Sequence, residues 1–243
     1  MTRDAPRVWV TRALPGAQAT AARLSAAGLT PVVAPLIETT SLPGPVDVLD
    51  GHDALVFTSA AAVREVARRT PVRTHPVYAV GEATARTAGT AGWRVVADAD
   101  GGVNDLAGIL AAAPPGLRLL HPCAAVTAGD LSALGITVTS WPVYRTDRVS
   151  SGWEDALADL TAGRLAAVLV QSPSAAAALA ALIPPASLPG HVVAFALSPA
   201  CAVPLAGTGF REIAHPPFPR EAALLKVVAD TLVGAPPAAP ARH

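Results

Sequence analysis

Apolar β-type runs alternate with alanine-rich helical stretches along nearly the whole chain. In ALVFTSAAAV, residues 54–63, an apolar strand pattern ends at Thr58 and Ser59, and a helical pattern follows at once. A second apolar run, VYAV at residues 77–80, ends at Gly81 and leads into another helix. Strands that alternate with helices in this way predict the α/β class, with parallel sheets that carry helices on both faces.

The same pair of strand–helix units occurs twice. AVLVQSPSAA at residues 167–176 repeats the first stretch, and VAFALSPAC at residues 193–201 repeats the second. An echo of the same kind relates the segments that contain Pro35 and Pro142. We therefore predict two similar parallel-sheet lobes with a ligand between them.

Polar residues and glycine gather where the predicted strands end. Ligands of parallel α/β sheets bind at the carboxyl ends of the strands, where helix N-termini offer free N–H groups and a positive dipole end. The residues at these positions are Thr11, Arg12, Thr58, Ser59, Gly81, Glu82, Ser172 and Ser198. They are the candidates for binding a ligand.

The composition narrows the class of partner. Apolar residues make up 51% of the chain and charged ones 15%, which indicates a folded protein. The net charge is zero, and this argues against nucleic acid or an anionic membrane as the partner, because both require a basic surface. The two cysteines lack metal-like spacing, which favours reduced thiols in the cytoplasm.

The uncharged stretch at residues 165–210 needs a separate interpretation. A membrane span requires roughly 20 uninterrupted apolar residues. Polar residues interrupt this stretch from Gln171 onward, and several prolines follow. It is therefore interpreted as a buried strand–helix–strand unit, and the N-terminus shows no apolar signal segment.

Several kinds of catalytic chemistry find no support in the sequence. The six histidines are scattered, so no metal site is expected. There is no Walker loop and no GxGxxG after a strand, so a nucleotide cofactor is not expected either. Ser59 lies outside a GxSxG elbow. The residues alone favour a binding cleft without strong acid–base groups.

A set of short motifs resembles the uroporphyrinogen-III synthase family. The motifs are VTR at residues 10–12, VFTSAAAV at 56–63, AVGEATA at 79–85, GW at 92–93 and PVYRT at 142–146. Each motif is weak alone, but their order, their spacing and the duplication make the combination specific. The resemblance extends from residue 7 to about residue 233.

The resemblance implies two α/β lobes, one inserted in the sequence of the other and joined to it by a two-stranded linker. It assigns residues 1–37 and 146–233 to the discontinuous lobe and residues 42–140 to the inserted lobe. Residues 38–41 and 141–145 would be the linker strands. Residues 234–243 have no apolar pattern and are expected to form a disordered tail.

The implied reaction closes linear hydroxymethylbilane to uroporphyrinogen III, with loss of water and inversion of the last pyrrole ring. The enzyme would hold a flexible substrate so that the substituted carbon is attacked, which is catalysis by orientation. The resemblance implies a monomeric cytoplasmic enzyme without a cofactor. It also implies transient contact with the preceding enzyme of the pathway.

Single residues of these motifs have expected roles. Tyr144 matches a tyrosine that assists departure of the hydroxyl, and its alternative role is packing against a sheet edge. Thr84 matches a family threonine, and its alternative role is to satisfy backbone groups in the first turn of a helix. Gly81 is expected to allow close approach of the backbone.

Other matched residues end strands in both copies. Ser59 and Ser172 match family serines, and the alternative role of each is to cap a helix. Thr11 and Arg12 match the end of the first strand, with a surface ion pair as the alternative role for Arg12. The full set of expected substrate-binding residues is Thr11, Arg12, Thr58, Ser59, Gly81, Thr84, Ser172 and Ser198.

The departures from the family pattern lie mostly in the second copy. Gln171, Ser198 and Cys201 stand where the first copy has Thr58, Gly81 and Thr84. In addition, His121 and Pro122 stand where the family usually has an arginine and a small residue. A second hypothesis therefore stays open, namely a tetrapyrrole-binding paralogue, or another binding protein for a polyanion, with little or no activity.

Overall fold

The computed structural model describes residues 4–99, 103–111, 116–126, 131 and 137–234. Residues 235–243 of the predicted tail lie outside these ranges. The chain divides into two compact units: unit 1 consists of Met1–Glu38 and Asp147–His243, and unit 2 consists of Thr39–Thr146.

Strands and helices alternate through the described residues. The first part of the chain contains β1 (Arg7–Val10), α1 (Gly16–Ala26), β2 (Thr30–Val33), β3 (Ile37–Ser41), β4 (Ala54–Phe57), α2 (Ala60–Arg69), β5 (Val77–Val80), α3 (Glu82–Thr90), β6 (Val95–Ala99), α4 (Val103–Ala111), β7 (Leu119–Ala124) and β8 (Val138–Arg148). The second part contains α5 (Glu154–Thr161), β9 (Ala167–Val170), α6 (Pro173–Leu182), β10 (Val193–Ala196), α7 (Pro199–Ala202), β11 (Glu212–Ala214) and α8 (Glu221–Leu232). Short 3₁₀ helices cover Asp47–Gly51 and Val203–Leu205.

The sheet of unit 1 has the order β11-β10-β9-β1-β2, and all its neighbouring strands are parallel. β1 lies inside this sheet, and Val8, Trp9 and Val10 are fully buried. β2 is an edge strand, which suits its Pro31, because proline has no backbone N–H to donate to a neighbouring strand. Residues that lie far apart in the sequence therefore form one core.

The sheet of unit 2 has the order β3-β8-β7-β4-β5-β6. The neighbours from β8 to β6 are parallel, and their order repeats that of unit 1, with β4, β5 and β6 in the places of β9, β10 and β11. The predicted α/β class with two similar parallel sheets is confirmed.

β3 and β8 are the strands in which the chain passes between the two units. They are neighbours at one end of the unit 2 sheet. The N–H of Leu42 donates to the carbonyl of Val143 at 3.0 Å, and the N–H of Val149 donates to the carbonyl of Leu36 at 3.1 Å, an antiparallel pattern. The predicted linker segments, residues 38–41 and 141–145, fall within these two strands.

Helix α2 shows how the helices cover the sheets. Its residues Ala62, Val63 and Val66 are fully buried and belong to the same core cluster as Leu55 and Phe57 of β4. Burial of each large apolar side chain stabilises the unit by about 1.5–3 kcal/mol. This packing fixes the start of α2 against the carboxyl end of β4.

Two predicted elements differ from the structure. The run TPVVAPLI predicts one strand over residues 30–37, but β2 ends at Val33 and β3 begins at Ile37, because Pro35 lies between them and has no N–H to donate to a neighbour. The sequence after Ser198 predicts a helix over about residues 199–206, but α7 ends at Ala202 and a 3₁₀ helix that contains Pro204 follows it. A further helix is predicted over about residues 126–134, and this segment lies almost entirely outside the described residues. No helix in the described ranges is long and apolar enough to cross a membrane.

Candidate functional site

Ser59 connects the start of α2 with Tyr144. The residue has extended backbone angles, and its Oγ accepts a hydrogen bond from the N–H of Ala62 at 3.1 Å, so it caps the helix. The same Oγ lies 2.9 Å from the Oη of Tyr144. Ser59 therefore caps the helix and contacts Tyr144 at the same time, so that one hydroxyl joins the N-terminus of α2 to the phenol.

Tyr144 lies in β8 with only 9% of its surface exposed, among the apolar residues of the α2 core. Burial raises the pKa of its phenol, and the hydrogen bond with Ser59 and the positive charge of Arg64 on α2 offset only part of this rise. The phenol is therefore protonated at neutral pH and can donate a hydrogen bond.

Thr58 ends β4 and contacts a histidine from the neighbouring strand. Its Oγ1 lies 3.0 Å from the Nε2 of His121, which is 3% exposed in β7. Burial lowers the pKa of His121 to about 4, so the imidazole is neutral at physiological pH. Two adjacent hydroxyls, those of Thr58 and Ser59, thus each have a side-chain partner.

Gly81 and Thr84 mark the next strand end, beyond β5. Gly81 precedes α3 with φ +84°, a left-handed conformation that strongly favours glycine, and among the described residues no non-neighbouring atom lies within 4 Å of where its Cβ would be. The positive φ angle is therefore the reason for glycine at this position, and the described residues show no close approach of other protein atoms to it. The N–H of Thr84 donates to the carbonyl of Gly81 at 2.9 Å, and Thr84 is buried in the first turn.

Unit 1 uses its corresponding hydroxyls within its own fold. Thr11 is fully buried and donates to the carbonyl of Leu169 at 2.9 Å. Ser172 caps α6 by accepting from the N–H of Ala175 at 3.2 Å. Ser198 donates to the Sγ of Cys201 at 3.4 Å. None of these three contacts needs a ligand.

A carboxylate from α8 occupies the strand ends of unit 1. Glu221, whose side chain is 15% exposed, accepts a hydrogen bond from the Nε2 of Gln171 at 3.1 Å and pairs with the Nη1 of Arg12 at 3.4 Å. It also accepts from the hydroxyl of Thr20 and forms an ion pair with Arg23. Burial raises the pKa of Glu221, but these four partners outweigh burial and hold that pKa below its ordinary value. Arg12 therefore takes part in an ion pair within the fold.

The structure brings together only some of the predicted residues. In unit 2, Ser59 contacts Tyr144, while Gly81 and Thr84 lie at the end of the strand next to β4. Sequence reasoning missed His121 as the partner of Thr58 and Glu221 as the centre of the unit 1 cluster. A histidine inside the apolar run LRLLHP was the available signal for the first. The sequence around Glu221 carried no signal for its role.

Two parallel sheets with the same strand order and with hydroxyl groups at their strand ends define a duplicated two-unit α/β protein. The sequence profile described as Uroporphyrinogen-III synthase HemD matches residues 18–226. Because this match extends over most of the 243 residues, the chain belongs to the uroporphyrinogen-III synthase family. The predicted family, and with it the prediction of an enzyme, are confirmed.

Two solved structures illustrate the similarity of fold. A mutant uroporphyrinogen III synthase from the extremely thermophilic bacterium Thermus thermophilus is 22% identical, with 95% of this chain and 100% of that chain covered and a TM-score of 0.59. The uroporphyrinogen-III synthetase from Helicobacter pylori is 18% identical, with 93% and 99% covered and a TM-score of 0.62. At these identities the similarity concerns the fold. No curated protein sequence gives a significant match.

Proposed function

We propose that this protein is a uroporphyrinogen-III synthase that closes linear hydroxymethylbilane to uroporphyrinogen III. The reaction releases one water and inverts the last pyrrole ring. The observation that carries the proposal is the contact between Tyr144 and Ser59, 2.9 Å from Oη to Oγ, at the end of β4 in a chain of this family.

Tyr144 is the proposed proton donor. A phenol is protonated at neutral pH, burial raises the pKa of this one further, and the Ser59 hydroxyl holds it in place. When the C–O bond of the substrate breaks, the phenolic proton passes to the departing hydroxyl, which leaves as water. The proton that the attacked pyrrole carbon releases on ring closure then restores the phenol.

The other strand-end residues of unit 2 are proposed to orient the substrate. The substrate carries eight carboxylates, and backbone N–H groups at the starts of α2 and α3 offer them donors without a large net charge. Thr58, Ser59, Gly81 and Thr84 lie at these two helix starts. The exposed Arg64 on α2 adds a positive charge near the phenol, which acts to lower the pKa of Tyr144.

In unit 1, Arg12, Ser172 and Ser198 are half-buried and are proposed as a weaker set of substrate contacts, because their side chains already have partners. Thr11 is fully buried, so we propose that it acts indirectly, through its hydrogen bond to the carbonyl of Leu169. We further propose that the enzyme works as a cytoplasmic monomer without a cofactor, with transient contact to the enzyme that supplies its unstable substrate.

The test is incubation of the full chain with hydroxymethylbilane, followed by oxidation and chromatographic separation of the uroporphyrin isomers. Uncatalysed closure gives isomer I, so isomer III in excess over a protein-free control is the expected result. Isomer I alone would refute the proposed activity. Tight tetrapyrrole binding without isomer III would support the non-catalytic paralogue instead.

A further inference from the structure

His121 is a buried polar residue in an otherwise apolar strand. β7 contributes Leu119, Leu120 and Cys123 to the interior, and each is 3% exposed or less. The only hydrogen bond that His121 makes with a described side chain joins its Nε2 to the Oγ1 of Thr58 at 3.0 Å. Burial of an imidazole costs free energy unless its polar atoms are paired, so this contact calls for an explanation.

The sheet register explains why the two side chains meet. β4 and β7 are parallel, and Leu55 lies beside Leu120. The same register, continued by one residue, places His121 beside Val56. Side chains alternate between the faces of a sheet, so those of Val56, Thr58 and His121 point to one face. His121 therefore reaches diagonally toward the strand end, where the Thr58 hydroxyl is half-buried.

A neutral imidazole restricts what the Thr58 hydroxyl can do. A threonine hydroxyl has one donor and two acceptor sites, and a neutral histidine offers one donor nitrogen and one acceptor nitrogen. If Nε2 accepts, the lone pairs of Thr58 remain for an N–H of the ligand. If Nε2–H donates, the hydrogen of Thr58 remains for an oxygen of the ligand. In either tautomer the contact with Nε2 occupies one of the three hydrogen-bonding sites of the hydroxyl and restricts its rotation.

We propose that His121 is a positioning residue that holds the Thr58 hydroxyl in one orientation toward the substrate during ring closure. This inference rests on the proposed function and adds a residue to the same site. His121 acts through Thr58, while the neighbouring Ser59 hydroxyl holds Tyr144. In this proposal the hydroxyl of Thr58, held by His121, orients the substrate. The hydroxyl of Ser59 holds Tyr144, which assists the departure of water.

The test is a double-mutant cycle of His121→Leu and Thr58→Val on the full chain, measured as the rate constant for isomer III formation with enzyme in excess over hydroxymethylbilane. Thr58→Val keeps the shape of the residue and removes its hydroxyl. We expect His121→Leu to lower the rate constant about tenfold in the wild-type background. In the Thr58→Val background its further effect should be less than about twofold, because the partner is already gone.

Two controls separate positioning from general destabilisation. His121→Gln places an amide group near the position of Nε2 and should recover most of the lost rate. His75→Leu, in the same unit, removes a histidine whose Nε2 lies 3.2 Å from the carbonyl oxygen of Leu49, and it should leave the rate constant within about twofold once the folded fraction is measured.

Each outcome decides a separate point. Equal losses from His121→Leu in the two backgrounds would overturn the positioning role, and so would a His121→Gln variant as slow as His121→Leu. Wild-type protein that forms no isomer III would overturn the proposed function, and this inference would fall with it. If the wild type forms isomer III but the effects of His121→Leu and Thr58→Val are independent of each other, the positioning role of His121 is refuted and the proposed function stands.

Discussion

At the scale of single residues, Tyr144 and His121 are polar side chains held in apolar surroundings. Each has a hydroxyl partner, Ser59 for Tyr144 and Thr58 for His121. Both groups are uncharged at neutral pH, because a phenol is protonated there in any case and burial lowers the pKa of the imidazole to about 4. The strand ends of unit 2 therefore present oriented hydrogen-bonding groups with little fixed charge.

Replacement of Tyr144 by Phe tests the proposed proton donor. The change removes the phenolic oxygen but keeps the ring, so the core packing stays. We expect turnover to fall by about 10²-fold or more, the usual size of a lost general acid. The free energy of unfolding should fall by only about 1 kcal/mol, the value of one hydrogen bond. Initial rates and urea denaturation measure the two effects, and an unchanged rate would remove Tyr144 from the mechanism.

The low pKa of His121 predicts acid sensitivity. The unfolded chain takes up a proton near pH 6.5, whereas folded His121 does so only near pH 4. Stability is therefore lost as the pH falls through this window, by about 3 kcal/mol in total. His121→Leu should lack this loss, so its unfolding free energy should approach or exceed that of wild type at pH 4. Parallel stability curves from pH 7 to pH 4 would contradict the assignment.

At the scale of elements, the duplication gives two helices that start in the same way. Ser59 and Ser172 have nearly the same backbone angles, and each accepts a hydrogen bond from the N–H three residues later. α2 and α6 each contain 10 residues and follow strands that are buried along their whole length. The two copies differ in that Ser59 also contacts Tyr144.

This pair of caps makes a matched experiment on stability. Ser172→Ala should lower the free energy of unfolding by about 1 kcal/mol, because one helix N–H loses its partner. Ser59→Ala should cost about 1 kcal/mol more than Ser172→Ala, because the Tyr144 hydroxyl also loses its contact. Glycine at either position should cost only a few tenths of a kcal/mol for the cap itself. Equal losses for the two alanine variants would show that the Tyr144 contact adds nothing to stability.

Most elements could be predicted because their signals are local. The apolar run at residues 54–57 and the alanine-rich stretch after Ser59 define β4 and α2 without knowledge of their neighbours. Pairings such as Thr58 with His121 depend on which strands lie side by side, and strand order is a long-range property. For the same reason His121 could be seen only as a departure from the family pattern, and its partner stayed hidden.

At the scale of the whole molecule, Glu221 joins parts of unit 1 that are distant in the sequence. Arg12 lies 209 residues from it, and Gln171 lies 50 residues from it. Its carboxylate lies where β1 and β9 end, and α8 begins with it. The N-terminal segment, the middle of the C-terminal segment and the last described helix therefore meet at one side chain.

Glu221→Gln should destabilise unit 1 by about 2–4 kcal/mol, because Arg12 and Arg23 lose the charge that compensates them. The exposed Glu212, which lies 4.0 Å from Arg211, is the matched control, and Glu212→Gln should cost less than about 1 kcal/mol. The pKa of Glu221 lies below its ordinary value, so its contribution is present at neutral pH and is lost as the pH falls through that lower pKa. Equal denaturation midpoints for the two variants would contradict this role.

The interior place of β1 also affects how the protein is made. Thr11 donates to Leu169, which the ribosome adds 158 residues later. At typical synthesis rates this interval lasts about 8 to 30 seconds. The apolar side chains of Val8, Trp9 and Val10 stay without their second neighbouring strand throughout that time. Burial of β1 is therefore complete only after β9 has been translated, and until then β1 is an apolar strand with an unpaired edge, the kind of segment that promotes aggregation.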